Sequence, residues 1–125
     1  MARVVKVLIV DDQEAFRAAA RQVVGAMEGF EVIAEVATGE ESVEAARRLR
    51  PDLVLMDVNL PGMDGLEASR LILAERREVV VLLLSTYDRE DFASRIGSSG
   101  ASAFIPKQAF SQASLGDAWA KAAGR

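Results

Sequence analysis

Acidic, hydroxyl and amine side chains lie just after four short apolar runs of this 125-residue sequence. Asp11 and Asp12 end the first run, Asp57 and Ser85 end two later ones, and Lys107 closely follows the last. If these ends met, carboxylates about 4 Å apart would repel each other by about 1 to 4 kcal/mol per pair, so a cation is expected among them. Mg²⁺ suits such a site because it leaves positions for phosphate oxygens. A nearby hydroxyl and ammonium then predict phosphoryl-transfer chemistry.

The apolar runs themselves predict five β-strands. Residues 4–10, 52–56 and 79–84 are almost unbroken in Val, Leu and Ile, which is typical of strands buried on both faces. Residues 30–37 alternate between apolar and polar positions, which indicates an edge strand. Residues 101–105 form a short fifth candidate between Gly100 and Pro106.

Between these runs, apolar residues recur at the three- and four-residue spacing of amphipathic helices. A first helix is expected after Asp12, a good N-cap residue, and a second is expected before Pro51. Residues 66–76 and 111–123 predict two more helices, and Phe92 and Ile96 indicate a weaker one. Strand and helix therefore alternate five times. This order predicts a single α/β domain with a doubly wound, flavodoxin-like parallel sheet in the order 2-1-3-4-5, whose ligand crevice lies at the carboxyl ends of strands 1 and 3.

Composition excludes several kinds of chemistry. The chain has no cysteine and no histidine, so disulfides, a catalytic Ser/His/Asp triad and a self-supplied phosphohistidine are ruled out. A net charge of −4 gives no broad basic surface for nucleic acid. No apolar run reaches the roughly 18 to 20 residues of a membrane span. We therefore expect a cytoplasmic protein that contacts neither DNA nor a membrane directly.

Four motifs in register carry a family resemblance. VLIVDDQ, DLVLMDVNLPGMDG, VVVLLLSTYD and GASAFIPK resemble, in order and spacing, the motifs of response-regulator receiver domains of two-component signalling, especially receivers attached to helix-turn-helix DNA-binding domains. The resemblance covers residues 4 to about 120. We therefore expect residues 1–125 to form one receiver domain, with no output domain in this chain.

The resemblance implies a phosphoacceptor and a metal site. Asp57 would accept a phosphoryl group from the phosphohistidine of a sensor histidine kinase. Asp12, Asp57 and the backbone carbonyl of Asn59 would bind Mg²⁺ directly, and Asp11 would act mainly through water. The chain would be a signalling switch and not an enzyme.

The resemblance also implies how the switch responds. Ser85 and Lys107 would hold phosphoryl oxygens, and Phe104 would turn inward when Ser85 moves. The output face would comprise the fourth helix, fifth strand and fifth helix, used for homodimerisation or for another partner. Tyr87 is expected to shield the phosphoryl group from water. The family often places proline after the lysine, with a cis peptide, whereas Gln108 stands here and leaves that bond open.

Plainer interpretations remain for several of these residues. An Asp-Asp pair after a strand is often a helix cap, Ser85 could simply end its strand, and Phe104 could be a core residue. Trp119, with Leu115, is expected to pack a helix on the sheet.

Two other functions also remain open. One is a Mg²⁺-dependent phosphatase with an aspartate nucleophile, although such enzymes carry a second acid two residues later, where Asn59 stands. The other is a degenerate receiver that acts as an interaction module without phosphorylation.

Overall fold

Five parallel strands and five helices alternate along the part of the chain that the structure describes. The computed structural model describes residues 3–86 and 93–124. The strands are β1 (Val5–Val10), β2 (Phe30–Val36), β3 (Leu53–Asp57), β4 (Val80–Ser85) and β5 (Ala103–Pro106). The helices are α1 (Glu14–Gly25), α2 (Gly39–Leu49), α3 (Gly65–Glu75), α4 (Ala93–Ser99) and α5 (Gln112–Gly124), and a 3-10 turn covers Lys107–Ala109. Every predicted strand is present, with its ends moved by one or two residues.

The sheet has the predicted doubly wound topology. Its order is β2-β1-β3-β4-β5, and every neighbouring pair is parallel. The prediction that β2 is an edge strand is confirmed. Glu31 is the one residue of β2 that is exposed, because α1 and α2 both pack against this strand.

Two apolar layers enclose the sheet. One layer packs α2, α3 and α4 against alternate sheet residues, and the other packs α1 and α5 against the remaining ones. All residues of β3 and β4 are buried, as their unbroken apolar sequences predict. Leu115 and Trp119 belong to the second layer, and the Trp119 ring meets Phe30 edge-on at 6.0 Å between centroids. The predicted packing role of this helix face is confirmed.

The start of α1 corrects one expectation. Asp12 is not the N-cap, because α1 begins at Glu14 and Gln13 occupies the cap position without a side-chain hydrogen bond. The Asp11 carboxylate instead accepts the Gln13 amide hydrogen at 2.8 Å and turns the chain between β1 and α1. Asp12 is therefore exposed at the carboxyl edge of the sheet.

Three further sequence-based expectations concern a cis peptide bond, a membrane span and residues near the fourth helix. No cis peptide occurs among the described residues, so the bond after Lys107 is trans. Within the described ranges no helix is long and apolar enough to cross a bilayer. Tyr87 and Phe92 lie outside the described residues.

Candidate functional site

Strand register brings the predicted site residues to one edge of the sheet. Val10 of β1 pairs with Met56 of β3, so the acids that follow each of these residues lie level with each other. Ser85 of β4 pairs with Pro106 of β5, which places Lys107 next to the same edge. Because all strands are parallel, their carboxyl ends open into one crevice, as expected for this topology.

Three carboxylates form the centre of this crevice. Asp11, Asp12 and Asp57 each offer an oxygen, and these atoms lie within 4.8 Å of one another. Asp11 and Asp57 are buried, whereas Asp12 is exposed. The predicted convergence of these acids is confirmed. Burying like charges this close is costly unless a cation is present.

The Lys107 ammonium supplies part of that positive charge. Its Nζ atom lies 2.6 Å from Asp11 Oδ2 and 3.6 Å from Asp57 Oδ2, and its side chain is only 9% exposed. The contact with Asp11 is an ion pair that lacks hydrogen-bond geometry, so Asp11 Oδ2 is buried without accepting a hydrogen bond. A buried carboxylate oxygen in this state still has lone pairs that another cation could use.

The surroundings of Asp57 raise its pKa. Burial, with a further contribution from the nearby Asp11 charge, raises the pKa of the Asp57 carboxyl to about 6, while Lys107 and the Asn59 amide oppose the increase. The Asn59 amide donates to Asp57 Oδ1 at 3.2 Å. A carboxyl whose pKa is raised by burial and by neighbouring charge is a common property of functional sites.

The donor set fits a hard divalent cation. Three carboxylates with oxygens within 4.8 Å of one another provide the oxygen ligands that Mg²⁺ prefers. The cleft beside them has a volume of about 320 Å³ and is lined by Asp12, Gln13, Asp57, Asn59, Thr86 and Lys107. This space can admit both water and a phosphoryl group next to the acids.

The remaining predicted residues surround this cleft at different depths. Ser85 is completely buried at the end of β4. Phe104 lies on β5 opposite Leu83 and is half-buried against the layer formed by α2, α3 and α4. These positions are compatible with both the core role and the switch role considered for Phe104.

Sequence-based reasoning gave no role to some residues that line the site. Gln13 and Thr86 line the cleft, and Gln13 Oε1 accepts from Lys107 Nζ at 3.3 Å. Their positions directly after the acid pair and after Ser85 are a signal that could have found them. Gly65 starts α3 against the backbone of Asp57, where any side chain would overlap the Asp57 carbonyl oxygen. That contact depends on tertiary folding and leaves no local signal.

A larger cavity lies at the opposite end of the sheet. It measures about 480 Å³ and is lined by residues that include Arg3, Pro51, Asp52 and Trp119. It contains none of the carboxyl-edge acids. Size alone therefore does not identify the functional site, and the convergent charged groups do.

A doubly wound parallel sheet with an acid cluster and a lysine at its carboxyl edge is the architecture of a phosphoryl-controlled switch. The family model of the response regulator receiver domain matches residues 7–118. The chain therefore belongs to the response regulator receiver domain family. The resemblance found in the four sequence motifs is confirmed.

Individual relatives agree with this assignment. The response regulator GacA of Pseudomonas syringae pv. syringae is 36% identical over 105 residues, which cover 84% of this chain and 49% of GacA. The signal receiver domain of the response regulator NarL from Mycobacterium tuberculosis aligns with a TM-score of 0.89 and 25% identity, covering 98% of this chain and 99% of that one. A chain of the CheX-CheY-BeF3-Mg complex from Borrelia burgdorferi aligns with a TM-score of 0.80 and 28% identity, covering 93% and 87%.

The chain spans about half the length of the curated relatives it matches. Receiver domains of response regulators are signalling modules that act with histidine kinases, and the described structure contains the matching carboxyl-edge cluster. The processes that these longer relatives regulate are properties of those proteins.

Proposed function

We propose that this receiver domain accepts a phosphoryl group on Asp57 from the phosphohistidine of a sensor histidine kinase. The observation that carries the proposal is the convergence of three carboxylates within 4.8 Å beside the Lys107 ammonium. The sequence has no histidine, so the proposed phosphohistidine donor would lie outside this sequence. The domain would be a switch that is modified once per cycle and not a turnover enzyme.

The residues of the cleft divide the chemistry among them. A carboxylate oxygen of Asp57 attacks the phosphorus, a P–O bond forms, and the P–N bond to the kinase histidine breaks with its electron pair returning to the imidazole. The Lys107 ammonium neutralises charge on the phosphoryl oxygens, and Ser85 provides a hydroxyl donor to them. Positioning and charge neutralisation thus account for most of the catalytic effect.

Mg²⁺ is the proposed cofactor. Asp11, Asp12, Asp57 and the backbone carbonyl of Asn59 would hold it, with Asp11 acting mainly through water. When bound, the ion supplies positive charge to the acid cluster and to the phosphoryl oxygens. Support comes from the buried Asp11 Oδ2 that accepts no hydrogen bond, and from the related complex that contains Mg²⁺ and beryllofluoride.

The output of the switch would pass through Ser85 and Phe104. Ser85 is buried at the end of β4, and Phe104 lies on the neighbouring β5. In the proposed switch, movement of Ser85 would change the packing of Phe104. New phosphoryl contacts would bias an existing two-state equilibrium towards the active arrangement. The surface of α4, β5 and α5 would then mediate homodimerisation. Control of transcription would require a DNA-binding domain outside this sequence, since the net charge of −4 does not favour direct DNA contact.

The test is phosphorylation by acetyl phosphate in the presence of Mg²⁺, followed by intact-mass measurement. The unsubstituted protein should gain the mass of one phosphoryl group, Asp57→Asn should gain none, and Asp117→Asn, which removes an exposed carboxylate of α5, should behave like the unsubstituted protein. Lack of any gain, together with failure to bind Mg²⁺-beryllofluoride, would favour the degenerate interaction module. Continuous release of inorganic phosphate without a stable modified form would favour the phosphatase.

A further inference from the structure

The Lys107 ammonium is enclosed on several sides. Its Nζ atom faces carboxylate oxygens of Asp11 and Asp57 at 2.6 Å and 3.6 Å and the Gln13 amide oxygen at 3.3 Å. The Phe16 ring provides a further contact, with its centroid 4.6 Å from Nζ. The ammonium therefore lies between a set of oxygen acceptors and one aromatic face.

Phe16 is held in this position by the structure around it. It lies in the first turn of α1, two residues after Glu14, and its ring packs on Phe110 at 5.7 Å between centroids with the planes inclined by 52°. Phe110 directly follows the 3-10 turn that begins at Lys107, and its amide donates to the Lys107 carbonyl at 3.2 Å. The same ring thus contacts both ends of the turn that carries the lysine.

The face of an aromatic ring is a suitable contact for an ammonium group that must move from one anionic partner to another. The ring quadrupole attracts an ammonium that is largely removed from water, and Lys107 is only 9% exposed. The ring accepts no directional hydrogen bond, so the ammonium can turn towards an incoming anion without losing a specific bond to Phe16. Asp11 differs in this respect, because moving away from it breaks a close ion pair.

We propose that Phe16 is a positioning residue for Lys107, whose ring holds the ammonium beside the cleft where phosphoryl oxygens would bind. The role of Lys107 in this statement rests on the proposed phosphoacceptor function. The position of the ammonium over the ring does not, and it can be tested without any phosphoryl group.

The first test is NMR of metal-free protein labelled with ¹³C at the lysine ε-carbons. The sequence has three lysines, Lys6, Lys107 and Lys121, so the spectrum is simple and Lys107→Arg identifies the resonance. Lys107 ε-protons should be displaced upfield by the ring current and should show an NOE to the Phe16 ring in the unsubstituted protein. Absence of both signals would overturn the proposal without the need for any Phe16 variant.

The second test is the affinity for beryllofluoride in the presence of Mg²⁺. Phe16→Leu should weaken binding about three- to thirtyfold, the range expected from loss of a desolvated cation–π contact, and Phe16→Tyr should restore it. Phe30→Leu is the matched control, since it removes a ring from a different aromatic pair, with Trp119, away from Lys107. Its affinity should equal that of the unsubstituted protein.

A double-mutant cycle separates positioning from general support of α1. In a Lys107→Gln background, Phe16→Leu should cause no further loss of affinity if the ring acts through the ammonium. An equal loss in both backgrounds would show a structural role and overturn the proposal. Failure of the unsubstituted protein to bind beryllofluoride, with the NMR signals present, would count against the phosphoacceptor function and leave the ring–ammonium contact established.

Discussion

Replacement of Asp57 by asparagine should stabilise the metal-free protein at neutral pH. The Asp57 side chain is only 4% exposed, and burial raises its pKa from 3.8 to about 6, with a smaller contribution from Asp11. The difference between these values corresponds to about 3 kcal/mol that ionised Asp57 costs the folded state. Asparagine retains an acceptor for the Asn59 amide but loses the attraction of Lys107, so the expected gain is about 1 to 3 kcal/mol.

The pH dependence follows from the direction of this pKa change. Because the folded-state pKa is the higher one, the folded protein binds more protons than the unfolded chain between about pH 4 and pH 6. The cost of Asp57 is therefore absent below its unfolded pKa, increases as pH rises through this window, and is complete above about pH 6. The advantage of the asparagine variant should therefore be about 2 kcal/mol smaller near pH 4.5 than at neutral pH.

Urea unfolding in the presence of EDTA, at neutral pH and near pH 4.5, measures both quantities. Asp117→Asn is the matched control because its carboxylate is exposed on α5, and its stability should follow that of the unsubstituted protein. The proposed Mg²⁺ site would exist only in the folded protein, so added Mg²⁺ should stabilise the unsubstituted protein more than Asp57→Asn. An asparagine variant that is less stable at neutral pH, or whose advantage does not change with pH, would refute the reasoning.

Two further substitutions test the backbone and the charge of the site. Gly65→Ala should destabilise the domain by about 3 kcal/mol in urea unfolding, because its methyl group would overlap the Asp57 carbonyl oxygen. Gly116→Ala is the control within α5, because the nearest atom that its methyl group would meet outside the local helix backbone is Met27 Cε at 3.8 Å. It should instead stabilise the domain by about 1 kcal/mol, and similar losses for both variants would contradict the packing argument. Lys107→Met should move the pKa of Asp57 above about 6 in a ¹³C-detected carboxyl titration, because the ammonium lowers that pKa; an unchanged value would contradict the ion pair.

The sequence by itself determined the order of elements and the family. Buried strands such as residues 52–56 are recognisable because both faces require apolar side chains, and the alternation of strands with helices leaves few topologies. The position of Asp57 was also predictable as functional, since solubility poorly explains an acid that directly ends a fully apolar run. Parallel strands then bring such residues to one edge without any knowledge of distances.

The local sequence predicted the ends of helices and strands less well, because alternative conformations there differ little in free energy. Asp12 is a good N-cap by type, yet the structure begins α1 two residues later because Asp11 turns the chain by accepting the Gln13 amide. The observed ends of several strands likewise differ from the predicted ends by one or two residues. Such boundaries depend on small free-energy differences between neighbouring hydrogen-bond patterns.

Tertiary structure alone decided how the charges are arranged. The Lys107 ammonium contacts Asp11 and the Phe16 ring, residues that are far from it in sequence, and burial of Asp57 sets its pKa near 6. These properties depend on interatomic distances and on the exclusion of water. Electrostatic energies change steeply over an ångström or two, and the spacing of residues in the sequence does not encode such small distances. The residue types specify which groups meet, and the packed fold fixes their distances and the charge each group carries.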